Sequence, residues 1–563
     1  MLAHRLDSRT PPDWQDAASV EQVRQAIVRR AMYRDGGAFI DLVQTHISTV
    51  FLTPKYVFKF KRPVDVGFVD FRALASRRHY CHEELRLNRR LAPRVYLDVL
   101  ALRRGRTGYT FGAAGTVVDY CVAMRRLPPE SMLDNQLRAG TVPPVAMDTL
   151  ADTIARFHRR LRPARRFAGV GSLETWRLNW EENFEQTRPA VGVVLLAKEH
   201  AELANAVRRW LERDARLLEE RVNAGFVRNG HGDLRCEHIE LAKTVRIIDC
   251  VEFTERFRYG DVANDVSFLL MDLCQFGYPG LARRLLTRYT AAMDDPRLER
   301  LVPFYACYRA TVRGKVLGMR LRDRNLPPAV RAEVEHRARR FFMLALAFAR
   351  QMRPPALIAL TGLMGSGKSR LAGELSARTG IAVLASDAIR KELAAGGEPV
   401  PVRDRSPFGA GLYSPDWTTR TYGELFARAA ALLGRGHPVI LDASFSRQAQ
   451  RDAAFALARQ AGAEPWLVEC RVPDEVALER LRRREAEGTA TSDGRAELYP
   501  AQKAAFEQVV GLPPGRHLTV DRSRPAEENA VQVLAAPGLA IPEPLFTLPP
   551  EIKRRLEDEG SPS

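Results

Sequence analysis

Residues 357–369 read Leu357-Ile358-Ala359-Leu360-Thr361-Gly362-Leu363-Met364-Gly365-Ser366-Gly367-Lys368-Ser369. An apolar, strand-like run passes directly into G-x-x-x-x-G-K-S, and a helical pattern follows over Arg370–Arg378. Strand, glycine-rich loop and helix, in that order, is the context that a phosphate-binding loop needs. The glycines let successive backbone N–H groups wrap an anion, and the helix N-terminus adds its positive end. Lys368 is placed to reach the β- and γ-phosphates, and the Ser369 hydroxyl to ligate Mg²⁺. Gly362, Gly365, Ser366, Gly367, Lys368 and Ser369 are therefore the expected nucleotide-binding set, with ATP and Mg²⁺ as the expected cofactors.

Downstream of this loop the chain alternates strand and helix, as a parallel α/β sheet requires. Val439-Ile440-Leu441-Asp442 is a buried-looking strand that ends in an acid. Asp442 is the expected carboxylate near Mg²⁺ or its waters; capping the next turn is its alternative use. A short strand, Ala382–Ala385, precedes Asp387, and Arg390 follows one helical turn later. At i and i+3 these two side chains share one face. An acid there can take a proton from a substrate hydroxyl while the arginine steers a phosphate. An N-cap with a solvated arginine is the plainer alternative. Glu479-Arg480-Leu481-Arg482-Arg483-Arg484-Glu485 is a basic helix before the loop Gly488–Gly494. Arg480, Arg483 and Arg484 are candidates to close over a transferring phosphate, or else form a solvated face.

The P-loop, the D-x-x-R element, V-I-L-D and the arginine-rich helix together resemble the zeta-toxin and polynucleotide-kinase-like branch of small P-loop kinases. That resemblance covers about residues 355–530. It implies that Asp387 is the general base and that Arg390 binds substrate phosphate.

Upstream, Arg353-Pro354-Pro355 interrupts a helical pattern just before a new strand, and marks the expected domain boundary. The expected division is 1–352, with a small lobe to about 127 and a helical lobe over about 128–352, then 355–540, then a flexible tail over 541–563. Gln44–Leu52 and Tyr56–Lys61 are β-rich runs around Thr53-Pro54-Lys55, and Phe71–Leu91 reads as a helix. His231-Gly232-Asp233-Leu234-Arg235-Cys236-Glu237-His238, followed by Arg246-Ile247-Ile248-Asp249, resembles the aminoglycoside-phosphotransferase and kinase-like family. That family carries H-G-D-x-x-x-x-N and then an acid at a strand end. The resemblance implies that Asp233 is the base and Asp249 a Mg²⁺ ligand. It makes Lys59 (Lys61 being the alternative) the partner of ATP phosphates, with Glu84, or Glu83, as its ion-pair partner. Val122–Arg126 with Leu127-Pro128 would then be the hinge between lobes. Two departures stand out. His238 occupies the family's asparagine position, where an imidazole poorly replaces an oxygen ligand for Mg²⁺. The first hairpin carries Thr45-His46-Ile47-Ser48 in place of a glycine-rich loop.

Composition bounds the rest. In this chain of 563 residues, 45% are hydrophobic and 27% charged, which excludes global disorder. The net charge of +18 suits anionic partners such as nucleotides or nucleic acid, although an arginine- and alanine-rich compositional bias is the plainer explanation, the charge being diffuse rather than clustered. Seven scattered cysteines form no CxxC pair, which points away from disulfides and zinc and toward a cytoplasmic setting. No apolar run is long enough to span a membrane. The fold expectation is α/β and α+β, with a bilobal kinase-like domain ahead of a P-loop parallel-sheet domain. The functional expectation is a kinase transferring the γ-phosphoryl group of ATP to a hydroxyl, on a small molecule or a nucleic-acid 5′ end, chiefly through the second domain. Two alternatives are an ATP-binding regulator with a degenerate first domain and a basic nucleic-acid-binding protein that uses ATP.

Overall fold

Alternating apolar residues between Asp41 and Arg125 build a six-stranded antiparallel sheet. Its strands are β1 (Asp41–Gln44), β2 (Ser48–Leu52), β3 (Tyr56–Lys61), β4 (Tyr96–Gly105), β5 (Gly108–Thr110) and β6 (Thr116–Arg125), in the order β1-β2-β3-β6-β4-β5. The computed structural model describes residues 17–29, 41–67, 69–396, 404, 406–487 and 494–549. The two-residue side-chain period assigns each strand residue to one face. Phe58, Phe60, Cys121 and Ala123 pack toward α1 (Ala17–Arg29), where Val23, Ala26 and Ile27 meet them. Val122 and Met124 lie on the other face with Cys81 of α2 (Leu74–Asn88). Lys59 and Lys61 sit on that second face because Phe58 and Phe60 take the first. Of the run Gln44–Leu52, expected as one β-rich stretch, Ser48–Leu52 is β2, paired with β3 across Thr53-Pro54-Lys55, while Gln44 closes β1 before a turn. Thr45 caps the turn between them, its Oγ1 accepting a hydrogen bond from the Ser48 amide at 3.0 Å.

Beyond β6 the chain becomes helical: α3 (Leu133–Arg138), α4 (Ala146–Arg160), α5 (Leu173–Thr187), α6 (Ala197–Arg213), α7 (Ala215–Asn223), α8 (Glu255–Arg258), α9 (Val262–Gln275), α10 (Pro279–Met293), α11 (Leu298–Arg320) and α12 (Pro328–Gln351). Two small antiparallel pairs interrupt them, β7 (Val227–Asn229) with β10 (Tyr259–Asp261) and β8 (Ile239–Leu241) with β9 (Val245–Ile247). One large apolar core, with Trp180, Trp210 and Phe304 at its centre, joins these helices.

The second sheet is parallel throughout: β11 (Ala356–Thr361), β12 (Ala382–Ala385), β13 (Val439–Asp442), β14 (Glu464–Arg471) and β15 (His517–Asp521), in the order β12-β13-β11-β14-β15. Both its faces are covered, which explains why its strands read as unbroken apolar runs. Leu357, Ala359, Val439 and Leu441 face α15 (Pro415–Gly434) and α16 (Gln448–Gln460). Ile358, Leu360 and Ile440 face α13 (Lys368–Thr379) and α19 (Ala526–Leu534). The remaining helices are α14 (Ser386–Ala394), α17 (Asp474–Glu487) and α18 (Tyr499–Ala505).

The two halves touch through α11. Arg300 donates to Asp214 at 2.9 Å and to the Ala461 carbonyl at 2.8 Å, while Glu299 pairs with Arg435 at 2.7 Å and His437 at 2.6 Å. Residues 541–549, expected as part of a free tail, do not hang loose. Phe546 and Leu548 are buried in the helical core of the first half, and Arg283 donates to the Leu545 carbonyl at 2.6 Å. Two apolar side chains amid prolines are enough to anchor the strap. Among the described residues no helix is long and apolar enough to cross a membrane, and all seven cysteines are buried without disulfides.

Candidate functional sites

Parallel register brings the first site together. Leu360 of β11 lies opposite Asp442 of β13, and Asp442 lies opposite Ala385 of β12. The P-loop, Asp442 and Asp387 therefore leave the same edge of the sheet, where ligands of open α/β folds collect. The loop depends on its glycines. Gly362 and Gly365 have φ of +138° and +75°, and a Cβ on them would stand 2.5 Å from the Cys470 carbonyl and 2.7 Å from the Ala477 carbonyl. Lys368 curls over the loop, its Nζ donating to the carbonyls of Gly362 at 2.9 Å and Leu363 at 3.0 Å. Burial lowers the pKa of its ammonium, and the charges of Asp442 and Asp387 offset part of that. The Ser366 hydroxyl is buried without a hydrogen-bond partner, whereas Ser369 is exposed in the first turn of α13. Asp442 and Ser369 supply only oxygen donors, the type a hard cation prefers. Among the described residues no cluster of three or more His, Cys, Asp or Glu forms a self-sufficient metal cage. A Mg²⁺ held by one or two protein oxygens plus nucleotide phosphates fits this donor set.

Tyr413 links Asp387 and Arg390. Its hydroxyl is 3.5 Å from Asp387 Oδ1, and the Arg390 guanidinium lies 4.5 Å from its ring centre. Arg390 is buried and donates to the Leu412 carbonyl at 2.5 Å, with its Nε left unpartnered. Arg480 donates to the Arg522 carbonyl at 2.9 Å. Burial lowers the pKa of Arg480, and its neighbours Arg484, Arg370 and Arg483 add to the effect. Part of the expected lid loop, residues 488–493, lies outside the described residues. Arg522 was not anticipated. It is buried beside Gly367, with Nε and Nη1 unpartnered. Its only signal in the sequence is an arginine directly after the last strand.

The second site lies between the antiparallel sheet and the helices. Lys59 is 2.6 Å from Asp249 and 3.0 Å from Glu84. Lys61, fully buried, pairs with Glu84 and with Glu252. One carboxylate thus serves both lysines, while Glu83 turns outward to Arg86 at 2.6 Å. Asp249 sits at φ +62°, a left-handed position that non-glycine residues seldom take outside constrained sites. Burial opposes its charge, but Lys59 and His238 hold its carboxyl far below the ordinary range.

Asp233 is clamped. Arg235 donates to both its oxygens at 2.8 Å. Burial works against the Asp233 carboxylate, yet Arg235 and His238 bring its pKa down to about 2. The His238 ring spans the two acids, its Nδ1 2.9 Å from the Asp233 carbonyl oxygen and its Nε2 3.5 Å from Asp249 Oδ2. An imidazole therefore stands where a second Mg²⁺ would need an oxygen ligand, and both acids already carry cationic partners. This cleft does not fit a pair of Mg²⁺ ions. Asp265 supports the H-G-D loop, accepting from the amides of His231 at 2.5 Å and Gly232 at 2.8 Å.

His231 is held neutral. Its Nε2 is 3.0 Å from the Ile248 carbonyl, and burial lowers its pKa from 6.5 to about 4. Between those values the unfolded chain binds a proton that the native chain refuses. The contribution of His231 to stability is therefore full above about pH 6.5 and falls as pH drops toward 4, by about 3 kcal/mol. Denaturant unfolding measured across this window checks it. The slope of stability against pH should be steeper for the wild type than for His231→Gln, and equal slopes would contradict it.

Each half of the chain matches a known family. Residues 47–301 match the phosphotransferase enzyme family, and residues 357–509 match an AAA domain family. Uncharacterized proteins of Mycobacterium tuberculosis and Mycobacterium bovis are 30% identical over 468 residues, spanning 83% of this chain and 90% of theirs. Among solved structures, a choline/ethanolamine kinase family protein from Mesorhizobium loti covers 59% of this chain and 99% of its own, at 13% identity and a TM-score of 0.35. A gluconokinase from Sinorhizobium meliloti covers 37% of this chain and 96% of its own, at 19% identity and a TM-score of 0.25. An APS kinase from Mycobacterium tuberculosis, solved with AMPPNP and APS, covers 32% and 96%, at 23% identity and a TM-score of 0.23.

Proposed function

Because this chain belongs to the family of those mycobacterial proteins, with a phosphotransferase region ahead of an AAA P-loop region, we propose that it is an ATP-dependent kinase whose second module phosphorylates a hydroxyl. One observation carries the reading: the shared sheet edge that presents the P-loop, Asp442 and Asp387 together. In this reading the loop amides, Lys368 and the arginines Arg480, Arg483, Arg484 and Arg522 bind ATP phosphates. Ser369 and Asp442 would hold Mg²⁺, which neutralises phosphate charge when bound. Asp387 takes the proton of the acceptor hydroxyl, and Arg390 fixes an acceptor phosphate by a forked contact. The acceptor is a small molecule or a nucleic-acid 5′-hydroxyl. The modules are taken as 1–352 and 355–540, and the unpaired thiols support a reducing, cytoplasmic setting.

The first module is better read as a nucleotide-responsive partner than as a second kinase. The observation that favours this is the paired state of Asp233 and Asp249, with His238 between them. A base held near pKa 2 has little driving force to accept a proton at neutral pH.

The test follows labelled γ-phosphate from ATP–Mg²⁺ into a panel of 5′-hydroxyl oligonucleotides, sugars and aminoglycosides. Asp387→Asn should bind ATP as the wild type does and transfer at least 10²-fold more slowly, the scale of a lost general base. Wild-type transfer by Asp387→Asn would remove its role. Transfer lost with Asp233→Ala but kept with Lys368→Ala would move the kinase to the first module.

A further inference from the structure

Tyr413 brings a hydroxyl to the proposed base of the second module from within the chain. Its Oη donates toward Asp387 Oδ1 at 3.5 Å. Catalytic hydrogen bonds of this length tighten once substrate is bound. Asp387 follows β12 and the P-loop follows β11, with β13 between them. Two strand spacings, about 10 Å, therefore separate the base from the loop. A γ-phosphate on Lys368 would stand in that gap, and the charge of Asp387 already reaches Lys368.

The turn Gly411–Tyr413 that carries this side chain is pinned from several directions. Asp404 accepts from the amides of Ser406 at 2.8 Å and Leu412 at 2.6 Å, and Arg495 donates to the Ser406 carbonyl at 2.7 Å. Arg390 holds the Leu412 carbonyl and lies 4.5 Å from the Tyr413 ring centre. Among the described residues Arg390 forms no ion pair with a carboxylate, and its Nε is buried without a partner. A phosphoryl group on the Tyr413 hydroxyl would set negative charge beside that guanidinium, which can answer it with a charge-assisted contact. The neighbouring hydroxyls are committed to structure. Tyr422 accepts from the Phe445 amide at 3.1 Å, and Ser414 caps α15 at the Trp417 amide.

The geometry points to Tyr413 as an acceptor built into the chain: the second module transfers the γ-phosphoryl group of ATP to its own Tyr413 hydroxyl. This rests on the kinase reading of that module and adds an acceptor to it. The bond between the γ-phosphorus and the β,γ-bridging oxygen breaks, the bond from Oη to phosphorus forms, and ADP leaves with the bridging oxygen. The phenolic proton passes to Asp387 and then to water. A phenol gives up its proton more readily than an alcohol does, which suits a carboxylate as the base. The resulting phosphotyrosine would compete with a phosphorylated acceptor for Arg390.

Incubating the full chain with γ-labelled ATP–Mg²⁺ and no added acceptor, then mapping the label by peptide mass spectrometry, tests this. The wild type should gain label on Tyr413. The label should resist hydroxylamine, as an aryl phosphate does, and its rate per chain should stay the same on dilution. Lys368→Ala should label on the order of 10²-fold more slowly. Tyr413→Phe, which keeps the ring against Arg390, should carry no label on that peptide. The wild-type map decides the matter without any variant. Wild type that binds ATP yet gains no label on Tyr413 would overturn the internal acceptor while leaving the kinase reading in place. So would hydroxylamine-labile label on Asp387 in its stead, or a rate per chain that rises with chain concentration. Label on Tyr413 that persists undiminished in Lys368→Ala would overturn it as well, because the P-loop would not be its source. Wild type that binds no ATP at the P-loop would overturn the kinase reading itself, and the internal acceptor with it.

Discussion

Lys368→Ala should lower phosphoryl transfer on the order of 10²–10³-fold while leaving the melting temperature nearly unchanged. The ammonium donates to two carbonyls of its own loop, so in the absence of nucleotide it fills the concavity that phosphates would enter. Its pKa is lowered by burial, which means that the site holds a desolvated cation with only the distant help of Asp442 and Asp387. A γ-phosphate gives that cation a partner, most strongly where charge builds during transfer. The aliphatic chain of Lys368 is partly exposed even though its ammonium is desolvated, so losing it costs little packing. Single-turnover transfer of labelled phosphate, with thermal unfolding as the control, measures both quantities. Transfer within tenfold of wild type would show that the P-loop is not the phosphoryl-transfer site.

Arg221→Met should lower the stability of the first module by about 3–5 kcal/mol, the usual cost of breaking a buried ion pair from one side. Arg221 is buried and pairs with Asp261 at 2.5 Å and Asp295 at 2.8 Å, both of them buried too. Removing the guanidinium strands two carboxylates at once. Asp261 also caps α9, accepting from the Ala263 amide at 2.8 Å, and α9 carries Asp265, which supports the H-G-D loop. The expected fall in melting temperature is roughly 6–10 °C. A change below about 1 kcal/mol would mean that the carboxylates find other partners or become protonated at little cost.

Different parts of this molecule were legible for different reasons. The P-loop is contiguous, and each of its residues serves a local purpose, so Gly362 through Ser369 could be read directly. Asp442 and Asp387 could be read because parallel strands end at a common edge. Lys59 and Glu84 came together because the two-residue strand period put both lysines on the face that α2 covers. What the sequence concealed was long-range. Arg522 reaches Gly367 across 155 positions, and Lys61 reaches Glu252 across 191. The Asp233–Arg235 clamp spans two positions, yet an arginine two residues from an acid forks back only when the turn allows it. The segment 541–549 was misread because proline content outweighed Phe546 and Leu548.

That strap makes the polypeptide a loop in the mechanical sense. It leaves the first half at Met352, completes the second fold, and returns to dock Phe546 and Leu548 against the helices it left. A protease nick at Arg353 would therefore not separate the halves. The fragment beginning at Pro354 would keep its far end seated beside Gln351, and the two pieces should co-elute as one particle on size exclusion. Nicked chain that elutes as two species would show that the strap is too weak to tether what it touches.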